Sequence, residues 1–156
     1  AAQGTGYWGA NTFNSTVFSV GSIRDANSSN AIGYAFAEIP GYSSIGSFTG
    51  NGNADGPFVY TGFKPAFIIF KVSTNAPTGW IMLDNKRDTF NAVNHVLQPN
   101  SNDVENSGAD FWDFVSNGFK VRNTWAAANG NGYTVTYMAF AEHPFGGDGI
   151  APATAR

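Results

Sequence analysis

The chain contains no cysteine. Disulfides and thiolate–metal sites are therefore excluded as sources of stability. Charge is scarce: Asp, Glu, Lys and Arg make up 12% of the 156 residues, and the net charge is −3. So few cations form no basic stripe to neutralise phosphates, which argues against nucleic acid as a partner. Long apolar runs are missing too. The longest, Ala66-Phe67-Ile68-Ile69-Phe70, is far too short for a bilayer span, so no membrane insertion is expected. No window combines a helical period with end caps. The two histidines, His95 and His143, have no partner at metal-ligand spacing. Neither a Gly-x-Ser-x-Gly elbow nor a phosphate loop with a following Lys-Ser/Thr is present. Without an acid–base pair at defined spacing, the chain is expected not to be an enzyme.

What is present is aromatic and turn-forming. There are 14 Phe, 6 Tyr and 4 Trp beside 19 Gly. Aromatic and β-branched residues suit a pleated, half-buried surface, and Gly with Asn suits tight turns. The class this predicts is all-β. Alternation and breakers place strands at 17–20, 31–39, 43–49, 58–61, 65–72, 80–83, 95–98, 110–115, 118–122 and 133–142. Segment 65–72 is the most apolar and reads as a central strand buried on both faces. Strands at this spacing imply an antiparallel β-sandwich.

One stretch occurs twice. Tyr137-Met138-Ala139-Phe140-Ala141-Glu142-His143-Pro144 answers to Gly33-Tyr34-Ala35-Phe36-Ala37-Glu38-Ile39-Pro40. The two lie about a hundred residues apart, the length of a domain rather than of a solenoid repeat. Residues 41–145 therefore read as one complete sandwich unit, and 1–40 as the closing strands of a preceding unit. A two-stranded remnant cannot bury both its faces, so 1–40 should pack on the main unit or on a neighbour. Residues 146–156 form a C-terminal tail.

Several residues are candidates for function. In the closing strand, Thr134 and Thr136 mark the outward face, which carries Phe140 at its end; Phe36 holds the equivalent place in the earlier copy. Outward aromatics need a cover, so both are candidate interface residues. Trp125, beside Asn123 and the turn carrying Asn129 and Asn131, could stack on a sugar while the amides hydrogen-bond its hydroxyls. Trp80 sits in an apolar strand and reads as core. Asp84 and Asp88 flank Lys86 and Arg87, so surface charge pairing is the default; calcium is the cofactor such carboxylates would otherwise take. Glu38 and Glu142 are equivalent by repetition, which favours a shared structural need over catalysis.

At these residues the chain resembles a known family. Phe48-Thr49-Gly50-Asn51-Gly52, residues 55–67 (Asp-Gly-Pro-Phe-Val-Tyr-Thr-Gly-Phe-Lys-Pro-Ala-Phe), Asp84-Asn85-Lys86-Arg87-Asp88, Ser116-Asn117-Gly118-Phe119-Lys120 and the segment 137–144 are similar to the C-terminal domain of tailed-phage virion proteins. The resemblance covers nearly the whole chain. It implies a concanavalin-like or jelly-roll sandwich on the virion surface, outside the cell. The implied role is that of a structural protein, a tail-fibre or receptor-binding part touching host surface polysaccharide. Alternatives are a head-decoration or capsid-fibre subunit with a purely architectural role, and a free carbohydrate-binding module. The implied partners are copies of itself, with a trimer first, and other virion proteins. No catalytic residues are implied.

Overall fold

Strong turn signals and two-residue alternation cut the chain into short strands, and the structure, a computed structural model, describes residues 34–74, 78–108 and 111–142. Seven strands are present there: β1 (Ser43–Thr49), β2 (Phe58–Tyr60), β3 (Pro65–Val72), β4 (Ile81–Asp84), β5 (Trp112–Val115), β6 (Gly118–Val121) and β7 (Thr134–Ala141). They form two antiparallel sheets. One has the order β1-β7-β3-β4 and the other β2-β6-β5. The protein is thus an all-β antiparallel sandwich. The chain divides into two units, 1–36 and 37–156, a few residues before the boundary read from the repeat. The second unit holds both sheets.

The two sheets meet over an aromatic stack. Trp112 is fully buried. It lies between Phe70 of the opposite sheet, at 4.2 Å, and Phe119 of its own sheet, at 4.5 Å. Phe48 and Tyr137 stand edge-on to Phe119. Around the stack pack Ile68, Val72, Ile81, Leu83, Val121, Val135 and Ala139, all buried. Two glycines make this packing fit. Gly46 lies opposite Tyr137, and a Cβ there would come within 3.0 Å of the tyrosine hydroxyl. A Cβ on Gly118 would come 2.0 Å from the Val59 carbonyl, so only glycine lets β6 approach β2.

Three expectations are corrected. First, 95–98 is not a strand; Val96 and Leu97 make only isolated bridges, to Asn106 and Met82. Of 31–39, the described residues 34–38 carry no regular structure and Ile39 makes a single bridge to Ser43. The strand read at 17–20, like His143, lies outside the described residues. Second, a one-turn helix, α1 (Ala126–Asn129), occurs where no helix was expected. One turn is too short to leave a periodic pattern. Third, β3 is buried on one face only. Ile68, Phe70 and Val72 enter the core, while Phe67, Ile69 and Lys71 point outward and are half-buried.

That outward face carries an apolar row from edge to edge of the sheet, beside a polar row of Ser47, Thr136 and Lys71. Cross-strand register aligns Ile45, Met138, Ile69 and Met82 in one row, and Met82 bridges to Leu97. All five are half-buried. A neighbouring row sets Phe140 beside Phe67, with ring centroids 6.2 Å apart, and Tyr42 meets Phe140 edge-on. The interior of this face carries Lys71, whose ammonium sits over the Trp80 ring at 5.9 Å. Trp80 therefore belongs to the outer face, and the core tryptophan is Trp112.

Candidate functional site

The loops at the two ends of the sandwich hold most of the sequence-predicted residues. At the end where β1 and β3 finish, the turn around α1 closes on the Gly-Asn loop after β1. Asn129 is wholly buried and is the clamp. Its Nδ2 donates to Asn51 Oδ1, Asn53 O and Asn123 O at 3.1, 2.8 and 2.7 Å, and its Oδ1 accepts from the Asn51 N–H at 2.9 Å. Asn123 is buried too; its amide donates to Phe111 O, and its oxygen accepts from the Trp125 N–H. A side chain buried and hydrogen-bonded inside its own chain cannot reach a ligand. The sugar-contact role read for Asn123 and Asn129 is corrected accordingly: both amides are structural. Asn131 is exposed, and Trp125 is 42% exposed with its ring edge-on to Phe111.

At the other end, β3 begins and β4 and β7 finish. The segment after β4 is charged, and its charges are spent locally. Asp84 Oδ1 accepts from the Lys86 and Arg87 N–H groups, both at 2.9 Å, and Oδ2 from Arg87 Nε at 2.6 Å. Asp88 Oδ2 accepts from the Asn94 and His95 N–H groups, and Oδ1 lies 2.5 Å from His95 Nδ1. Each carboxylate folds its own loop around itself, as short polar side chains do at turns. Asp84 is paired with Arg87, the charge pairing expected by default, and both aspartates brace their own loops. No three His, Asp or Glu side chains among the described residues are placed to share an ion. Of the repeated glutamates, Glu142 reaches across to the segment after β4, accepting from Asn85 Nδ2 and pairing with Lys86, while Glu38 accepts from Ser44 Oγ at 3.5 Å.

Partial burial pushes the Asp84 carboxyl up, but the Arg87 and Lys86 hydrogen bonds outweigh it and hold its pKa below the usual value. A depressed pKa gives stability that is present above the unfolded-state pKa and is lost as pH falls through the folded one. The chain should therefore lose stability below the ordinary carboxylate range, and Asp84→Asn should flatten that loss. Urea melts of both proteins down an acid pH series check this; equal acid slopes would contradict it.

Between this braced segment and β5 lies a cleft of about 220 Å³. Val93 and Phe114 line it, along with Lys64, Asn85, Thr89 and Phe90. Asn91 ties the cleft wall to β5, its amide donating to Phe114 O and accepting from Phe114 N–H, both at 2.9 Å. Phe90 stands 83% exposed on the rim. No sequence pattern marks this site, because Thr89-Phe90 sits between charged and Asn-rich residues that read as plain loop.

These features define a class: a β-sandwich module with self-braced polar loops and an apolar row across its outer sheet face. The chain belongs to the family described as a domain of unknown function, DUF7483, whose model matches residues 1–144. The match takes in both copies of the repeated segment. No curated protein and no solved structure matches the chain.

Proposed function

We propose that the chain is a non-enzymatic structural module of a phage virion, part of a surface appendage such as a tail fibre, and that it works by packing against copies of itself. The observation that carries this is the apolar row Ile45–Met138–Ile69–Met82 on the outside of the four-stranded sheet. A sheet face covered by nothing but solvent normally alternates to polar residues. Here Ser47, Thr136 and Lys71 supply polar positions at one end, but the four-strand row beside them is apolar from edge to edge, and such a patch is what one subunit presents to another. The low charge of the chain supports the same reading, as does its resemblance to repetitive virion proteins. Closed symmetry would keep such packing finite, and a trimer is the first expectation. A second reading, contact with host surface glycan, is favoured by the exposed Phe90 and the half-exposed Trp125 on the loops.

Light scattering of the purified chain at micromolar concentration tests the assembly. An oligomer is expected. The double variant Ile69→Asp/Met138→Asp should run as a monomer with an unchanged far-ultraviolet circular dichroism spectrum. A monomeric wild type, or an oligomer indifferent to both aspartates, would sink the reading.

A further inference from the structure

An open sheet ends in strands with unpaired backbone groups, and folded proteins blunt such edges with short strands, charges, proline or a covering segment. Among the described residues, three of the four edges are blunted. β4 is covered at Met82, which exchanges hydrogen bonds with Leu97 at 2.8 and 3.2 Å. β5 is covered at Trp112 by Val93, at 2.8 and 3.4 Å. β2 is only three residues long. β1 is the exception: seven residues, Ser43–Thr49, without a charge or a proline. We infer that its free edge pairs antiparallel with the same strand of a second copy and joins two four-stranded sheets into one, which rests on the reading that copies pack together.

Two hydrogen bonds show which groups of β1 are free. Gly50 N–H donates to Tyr133 O at 2.8 Å, so in the β1–β7 register the even-numbered residues Ser44, Gly46 and Phe48 bond to β7. Ser43, one of the odd set, exchanges bonds with Ile39 on the other side, at 2.9 and 3.1 Å. The N–H and C=O groups of Ile45, Ser47 and Thr49 therefore point away from β7, and no described residue bonds them. Ser47 and Thr49 are exposed, and Ile45 is half-buried.

A second β1 fits these residues without remainder. A two-fold antiparallel pair centred on Ser47 sets it opposite the partner's Ser47, and Ile45 opposite the partner's Thr49. Each such pair exchanges both N–H···O bonds, so every free group of the two strands is used. The intervening pairs place Phe48 opposite the partner's Gly46. Phe48 is half-buried and held edge-on by Trp112 and Phe119, and an aromatic ring beside a glycine covers its bare backbone. No like charges meet, because the strand has none. The pair is isologous, so the assembly holds an even number of copies. One edge is too small a contact to hold two monomers together. A trimer built through the sheet face presents its edges together and pairs with a second trimer.

The test is amide hydrogen exchange of the whole chain at a concentration where it assembles. Ser44, Gly46 and Phe48 are bonded to β7 and should exchange slowly in every sample. Ile45, Ser47 and Thr49 should exchange at least about tenfold more slowly in the wild-type assembly than in the monomeric Ile69→Asp/Met138→Asp variant. Ser47→Pro removes an N–H that β7 does not use, a change edge strands tolerate. It should keep the wild-type circular dichroism spectrum, halve the mass seen by light scattering and free the Ile45 and Thr49 amides. The first comparison decides the matter even if the proline disturbs the fold. Fast exchange at the three odd positions in a wild-type oligomer overturns the edge pairing and leaves face packing standing. Slow exchange there in the monomeric variant overturns it too, because the edge is then covered from within the same chain. So does a folded Ser47→Pro of undiminished mass. A monomeric wild type overturns both readings.

Discussion

Trp112→Ala is expected to lower the unfolding free energy by about 3–5 kcal/mol, the range for deleting a large aromatic from a packed interior. That is a large part of the 5–15 kcal/mol typical of a whole domain. The residue is fully buried and stacked on both faces, by Phe70 and Phe119, with Phe48 edge-on to it. Because Phe70 comes from one sheet and Trp112 and Phe119 from the other, the void would open between the two layers. Trp112 Nε1 has no hydrogen-bond partner among the described residues, so the indole N–H adds nothing favourable. Trp112→Phe keeps a ring in the stack and discards that N–H; it should cost clearly less than the alanine. Urea denaturation of the three proteins measures both differences. Equal losses for Ala and Phe would mean that the stack itself contributes little.

Asn129→Asp should be nearly as damaging, although it replaces one atom type by another of the same size. The amide nitrogen faces three oxygens, Asn51 Oδ1, Asn53 O and Asn123 O. A carboxylate in that place turns three attractions into repulsions inside a buried site. An uncompensated buried charge costs about 3–5 kcal/mol. Burial and the surrounding oxygens would raise the new carboxyl's pKa, so the loss should appear as pH rises through the acid range and shrink as pH falls. The damage should be local as well. Amide exchange at Gly50–Asn53 should accelerate more than exchange in β3 or β7. A variant with wild-type melting and unchanged exchange at that loop would show that Asn129 is not the clamp.

Strand positions and outward faces were readable because they depend on local patterns. Thr134 and Thr136 alternate with Val135 and Tyr137, and the structure buries the second pair and not the first. The Ser116-Asn117 turn is flanked by two short aromatic segments and does join β5 to β6. The role of Asn129 was not readable. In the sequence it opens an Asn-Gly-Asn-Gly run that looks like solvent-exposed turn. Its partner Asn51 is 78 residues away, and only tertiary folding brings the two together. The cover on β3 was misread for a related reason. Ala66-Phe67-Ile68-Ile69-Phe70 requires apolar surroundings on both faces, but a sequence cannot say whether the second set lies within the chain. The aspartates at 84 and 88 share this ambiguity: carboxylates at loop spacing serve backbone N–H groups or a metal, and only geometry separates the two.

The order of strands also bears on how the protein is made. Among the described residues β7 is the last strand in chain order, yet it sits between β1 and β3, pairing with both along nearly its full length. A nascent chain that has not yet emerged past Thr134 offers, among the described strands, no partner to β1 and only β4 to β3. The four-stranded sheet cannot close while the ribosome is still translating the preceding loops. During that interval the faces of β1 and β3 lie open, and unpaired strands with apolar sides invite association with neighbouring chains. Sequence-distant pairing of this kind also makes folding slow. On a polysome, where copies emerge side by side, the same apolar strands that suit the finished subunit for assembly are exposed before it can fold. Synthesis rate and chaperone access, rather than final stability, would then set how much of it matures.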